Sequence, residues 1–231
     1  MKYKNIEIIG TSHIAKQSIK EVKDHIEKDT PEIIALELDK KRLYALFHKG
    51  KKSITLSNIR KVGVKGFIFS IIGAWAEKQL GKVVGVKPGS EMLTAAKLAK
   101  KKNIPIAFID QDIEITLKRL SQEITWKEKL NFLVDIIKAA IFRKKEIDFD
   151  LTEVPEEKII KKLITKVKKR YPSLHKVLIK ERNNVISKNL FNLMQNKKRI
   201  LAIIGAGHER EVLDLIKDRE AITYSFTIKN K

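Results

Sequence analysis

Two histidines close near-matching sequences at opposite ends of this chain, and imidazole is a residue type that can ligate a cation or act as a general base. His13 ends Gly10-Thr11-Ser12-His13 after the apolar pair Ile8-Ile9, and His208 ends Gly205-Ala206-Gly207-His208 after Ile203-Ile204. Carboxylates occupy comparable places. Glu37 and Asp110 follow apolar runs, and Glu91 falls in the first turn of a predicted helix. Two histidines with a carboxylate are a recurring ligand set for a divalent cation with an open position. Taken singly, each histidine also reads as a helix cap or a packed side chain, and Glu91 as a charge favoured by the helix dipole. The joint placement of His13, Glu37, Asp110 and His208 at predicted strand ends is what points to a site.

Bringing those groups together requires parallel strands whose carboxyl ends share one crevice. Asn5 to Gly10, Ile33 to Leu38, Ile104 to Ile109, Arg199 to Ile204 and Ile222 to Ile228 read as strands, and the unbroken apolar run at Ile33 suits a strand buried on both faces. Helical periodicity marks Ala15 to Lys28, Asp39 to His48, Ser90 to about Lys102, Ile113 to Gln122 and Lys127 to Lys144. A further helix after Pro155 places Ile159, Ile160, Leu163, Ile164 and Val167 on a face to be buried, and Ser173 reads as the cap of the next. Residues 49–65 read as a loop, and an apolar helix starts at Phe67. The expected fold is α/β, a central mostly parallel sheet flanked by helices, in a single domain spanning 1–231 with a helical insertion or cap at about 113–196.

One charge is out of place in that helical middle. Leu174, Leu178, Arg182, Ile186, Leu190 and Met194 recur every fourth residue, so Arg182 stands within an apolar stripe. A buried guanidinium needs a carboxylate or phosphate partner. It therefore forms a structural ion pair, snorkels to solvent, or points into a polar site to orient a carboxylate or bind an anionic group. Arg42, one turn into the helix opened by Asp39, is a second candidate for substrate binding.

The bulk composition narrows the chemistry. The 231 residues contain no cysteine, which excludes disulfides, thiolate metal sites and a cysteine nucleophile. The formal charge is +21, unevenly spread: residues 1–50 are near balance, with ten basic and eight acidic residues, whereas residues 151–200 carry fourteen and four. The excess is nearly all lysine, as in heat-adapted, archaeal-like sequences. Base-reading surfaces use arginine and interleaved aromatics, so no specific nucleic-acid partner is expected. No signal peptide is evident, and the apolar run at Phe67 is too short to span a bilayer.

Gly10-Thr11-Ser12-His13, Glu37-Leu38-Asp39 followed by Arg42, Gly89-Ser90-Glu91-Met92, Asp110 to Arg119, Glu181-Arg182-Asn183 and Gly205-Ala206-Gly207-His208 resemble, in this order, the blocks of the TraB/PrgY (pheromone shutdown) family. That family is similar to the Tiki metalloproteases, and the wider superfamily looks to include ChaN-like haem-binding proteins and erythromycin esterases. The resemblance implies a shared α/β fold and a metal-dependent hydrolase site on the paired G-x-x-H motifs, carried here by His13, His208, Glu37 and Glu91. This chain has Asp110-Gln111-Asp112 where the family often has Asp-Arg-Asp, so no anion-binding role passes to Gln111. Archaeal relatives often carry hydrophobic C-terminal helices, and this sequence stops at Lys231 without them.

The expected activity is that of a metal-dependent hydrolase, a peptidase acting on a small peptide or protein segment. His13, His208 and Glu37 would hold a divalent cation (Mn, Co or Zn). Glu91 or Asp110 would transfer the proton, and Arg182 with Arg42 would hold a substrate carboxylate. The alternatives are a metal-free hydrolase using histidine and Glu37 as the base, a protein that sequesters a ligand without catalysis, and an electrostatic scaffold for nucleic acid or membrane. Partners expected are the peptide or protein substrate and a second copy in a homodimer. Membrane association would run through segments absent from this chain, which as it stands is expected in the cytoplasm.

Overall fold

Alternation within the apolar runs builds a sheet covered on both faces. In the strand Ile200–Gly205 all six residues are buried; Ile200, Ala202 and Ile204 enter one apolar layer, Leu201 and Ile203 the other. The computed structural model describes residues 1–11, 16–48, 89–142 and 157–229. Its strands are β1 (Lys2–Tyr3), β2 (Ile6–Thr11), β3 (Ile33–Leu36), β4 (Ile106–Phe108) and β5 (Ile200–Gly205), in the order β1-β2-β5-β3-β4. Only the β1–β2 pairing is antiparallel. The last strand thus inserts between two early ones, pairing Thr11 with Gly205 on one side and Leu36 with Ile203 on the other.

Helices form the outer layers. On one face α1 (Lys16–Lys28) contributes Val22 and Ile26, and α3 (Ser90–Lys101) contributes Met92, Ala95, Ala96 and Ala99. On the other face α8 (Arg182–Asn196) contributes Ile186 and Leu190, and α9 (Glu209–Lys229) contributes Val212, Leu213 and Ile216. The chain after β2 and the chain after β5 therefore go to opposite faces, the arrangement that opens a crevice at the strands' carboxyl ends. Short α2 (Lys40–Phe47) follows β3. Between β4 and β5 come α4 (Ile113–Glu123), α5 (Trp126–Phe142), α6 (Glu157–Arg170), α7 (Pro172–His175) and a π-helical turn at Lys176–Glu181 that leads into α8. Among the described residues, no helix is long and apolar enough to cross a membrane.

Three expectations are corrected. Ile222 to Ile228 is not a strand but the end of α9. The sheet edge beside β2 is already taken by β1, while Glu220 is held by Tyr3 and Lys4 and the Thr223 hydroxyl donates to the Arg219 carbonyl at 2.9 Å, so the helix continues. The face of α6 is not buried: Leu163 and Val167 are 41% and 38% exposed. Ser173 is not a cap, because Pro172 takes the first helical position and Tyr171 the cap. Ser173 instead ties α7 down, its amide donating to Glu128 at 2.7 Å and its hydroxyl to the Glu123 carbonyl at 2.8 Å. The loop at 49–65 and the helix from Phe67 lie outside the described residues, as does His13.

Candidate active site

Pairing of β2 with β5 sets Gly10 opposite Ile204 and Thr11 opposite Gly205 at the strands' carboxyl ends. Past the last ladder pair the Ala206 amide donates to the Thr11 carbonyl at 2.9 Å, and the Thr11 hydroxyl to the Ile204 carbonyl at 3.2 Å. A β-carbon at Gly10, near the end of β2, would stand 2.3 Å from a carboxylate oxygen of Glu209 and 3.2 Å from the Ala206 Cα, so a side chain there would displace the Glu209 carboxylate and press on the Ala206 backbone. In the turn after β5 the His208 amide donates to the Gly205 carbonyl at 2.8 Å and its carbonyl accepts from Val212, which puts His208, 7% exposed, at the head of α9.

Glu37 takes over where the β3–β5 ladder stops. Its amide donates to the Ile203 carbonyl at 3.1 Å, and its side-chain Oε2 accepts the Gly205 amide at 2.5 Å, standing in for a backbone carbonyl. Its other oxygen, Oε1, accepts from Arg182 Nη2 and lies 3.5 Å from His208 Nε2. Asp110, at the end of the run through β4, receives Arg182 Nε at 3.0 Å and Nη2 at 2.8 Å, together with Arg42 Nη2. Arg42 is held in turn by Asp39, the cap of α2, with Nε 2.7 Å from its carboxylate. Among the described residues, three carboxylates and two guanidiniums meet there.

Three consecutive residues leave the π-helical turn and reach three different elements. Glu181 receives Arg119 of α4 at 2.8 and 3.2 Å, Arg182 bridges Glu37 and Asp110, and Asn183 places Oδ1 2.5 Å from His208 Nδ1. Wide turns of this kind recur at functional sites. Asn183 is fully buried and its Nδ2 has no hydrogen-bond partner among the described residues, a cost of about 1–3 kcal/mol.

Burial alone would raise the Asp110 pKa, but the guanidiniums of Arg182 and Arg42 outweigh it and hold the carboxyl below its ordinary range. Burial works against the charge of Arg182 too, and Glu37 and Asp110 outweigh that, so its proton is held more firmly than usual. Arg182 is thus the ion-pairing residue of a polar site and not a snorkelling one; its side chain is 16% exposed.

Of the candidates from the sequence, His208, Glu37, Asp110, Arg182 and Arg42 come together. Glu91, 1% exposed in the first turn of α3, shares no ion pair with Arg182 or Arg42. Among the described residues, no group of three or more His, Asp or Glu is disposed to hold a metal. His208 and Glu37 supply two donors, however. Ligands about 2.1 Å from a tetrahedral ion stand roughly 3.4 Å apart, close to their 3.5 Å. His13, the third ligand expected from the sequence, lies outside the described residues. Sequence reasoning missed Asn183, Asp39 and the Arg119–Glu181 fork. The Glu181-Arg182-Asn183 block of the family resemblance was the signal for Asn183.

The chain is 37% identical over 221 residues to the uncharacterized protein MJ1365 of Methanocaldococcus jannaschii, covering 94% of this chain and 54% of that one. It is 23% identical over 190 residues to a TraB domain-containing protein of Bos taurus, covering 76% of this chain and 49% of that one. The chain thus spans about half the length of these curated relatives. The sequence model of the TraB/PrgY/gumN family matches residues 2–222, taking in both glycine turns and everything between them. This chain belongs to the TraB/PrgY/gumN family.

Proposed function

We propose that this chain is a divalent-cation-dependent hydrolase, and that its substrates are small peptides or protein segments. The observation that carries the reading is the 3.5 Å approach of His208 Nε2 to Glu37 Oε1 at the carboxyl ends of neighbouring parallel strands. His208 and Glu37 would hold the cation, with His13 as the third ligand. When bound, the cation supplies Lewis-acid chemistry, acidifying water and polarising a carbonyl.

The chain's own groups fix the rest. Arg182 and the Gly205 amide hold Glu37 in one orientation. Asp110 is held ionised by two arginines, which makes it a poor proton acceptor. Arg42, 29% exposed where Arg182 is 16%, is the guanidinium better placed to meet a substrate carboxylate.

One observation favours a second reading, hydrolysis without metal. Asn183, His208 and Glu37 stand in the order of an orienting group, a base and a carboxylate. The test is to incubate untagged protein with a defined peptide mixture and follow products by mass spectrometry, with and without chelator. Cleavage abolished by chelator, restored by Mn, Co or Zn and lost in His208→Ala is the expected result. Cleavage indifferent to chelator selects the metal-free reading. Absence of product with retained peptide binding means a sequestering protein and overturns the proposal.

A further inference from the structure

The buried amide of Asn183 grips the side of the His208 ring that faces away from Glu37. Its Oδ1 is 2.5 Å from Nδ1, whereas Nε2 stands 3.5 Å from Glu37 Oε1. The two separations differ in kind. An amide oxygen only accepts, so the Nδ1 contact has a proton in it, whereas a protonated nitrogen facing a carboxylate closes to about 2.7–2.9 Å and Nε2 stays further from Glu37 than that.

We infer that Asn183 is a positioning residue that sets the tautomer of His208, its Oδ1 taking the Nδ1 proton so that Nε2 is left as a bare lone pair aimed at Glu37. An amide turned the other way would donate to Nδ1 and put the proton on Nε2, so the orientation of this side chain selects which nitrogen works. A neutral amide does this without adding a further carboxylate to a cluster that already has three. Partners of this kind orient metal-bound histidines and govern their affinity. Asn183 also directly follows Arg182, which holds Glu37, so adjacent residues of α8 fix both the imidazole and the carboxylate. The value of the lone pair rests on the hydrolase proposed above; the tautomer does not.

The experiment is long-range proton–nitrogen NMR on the full 15N-labelled chain, stripped of metal and held at about pH 8, above the ordinary histidine range. The chain has five histidines, and His208→Gln identifies the signals of interest. Expected for His208 are a protonated, pyrrole-type Nδ1 and a bare, pyridine-type Nε2. Asn183→Asp, which keeps the acceptor, preserves this pattern, and Asn183→Leu, which removes it, moves the proton to Nε2. In titrations with Mn, Co or Zn alone, Asn183→Leu weakens binding by about 10–100-fold and Asn183→Asp restores it. A wild-type spectrum with the proton on Nε2, or a tautomer unchanged in Asn183→Leu, overturns the inference. If Asn183→Leu does not fold, the wild-type and Asn183→Asp spectra decide it. The expected tautomer in a wild type that binds no cation upholds the role of Asn183 and removes the metal-dependent hydrolase.

Discussion

At the scale of single residues the site is organised by Arg182, whose guanidinium spans Glu37 on β3's end and Asp110 on β4's. Removing one member of a buried pair leaves the other charge uncompensated, at about 3–5 kcal/mol. Arg182→Met should lose stability on that scale in urea unfolding, and Arg182→Lys, which keeps the charge but not the fork, should lose less. The pH dependence has a definite sign. The folded-state pKa of Asp110 lies below its unfolded value near 3.9, so its contribution is complete above that value and disappears as pH falls through the folded one. Wild type should therefore exceed Asp110→Asn in melting temperature at neutral pH, with the gap closing below about pH 4. Arg182 was legible in the sequence because a charge within an apolar stripe is an anomaly. Asn183 was not, because an asparagine on an amphipathic helix looks solvated and its partner lies 25 positions further along the chain.

At the scale of elements, strand identity was readable from apolar runs and strand order was not. Nothing local in Ile200–Gly205 says that it inserts between β2 and β3; that follows from which helices cover which face. The misread segment Ile222 to Ile228 alternates like a strand, but Tyr3 and Lys4 hold Glu220 and keep α9 helical. The π-helical turn was equally hidden, since the four-residue spacing through Leu174, Leu178 and Arg182 looks like an uninterrupted α-helix. The close packing around Gly10 in β2 is testable. Gly10→Ala forces Glu209 away from its place near the amino terminus and crowds the Ala206 backbone. It should cost about 1–3 kcal/mol in thermal or urea unfolding, whereas Gly207→Ala, whose added carbon would meet Ile164 at an ordinary 3.8 Å, should be tolerated.

At the scale of the whole molecule, the sheet joins the two ends of the chain and the helical middle reaches over their junction. Arg119, Glu181, Arg182 and Asn183 tie α4 and α8 to the strand ends, so the helices between β4 and β5 help build the site as well as cover it. Part of the charge excess lies on that helical middle, with α6 alone carrying six lysines and no buried residue. The most direct measurement is calorimetric titration of the untagged, metal-stripped chain with Mn, Co and Zn, beside His208→Ala and Glu37→Gln. A single saturable site in wild type that both substitutions abolish is the expected outcome. Absence of saturable binding, or equal binding in all three proteins, would contradict a cation held between His208 and Glu37.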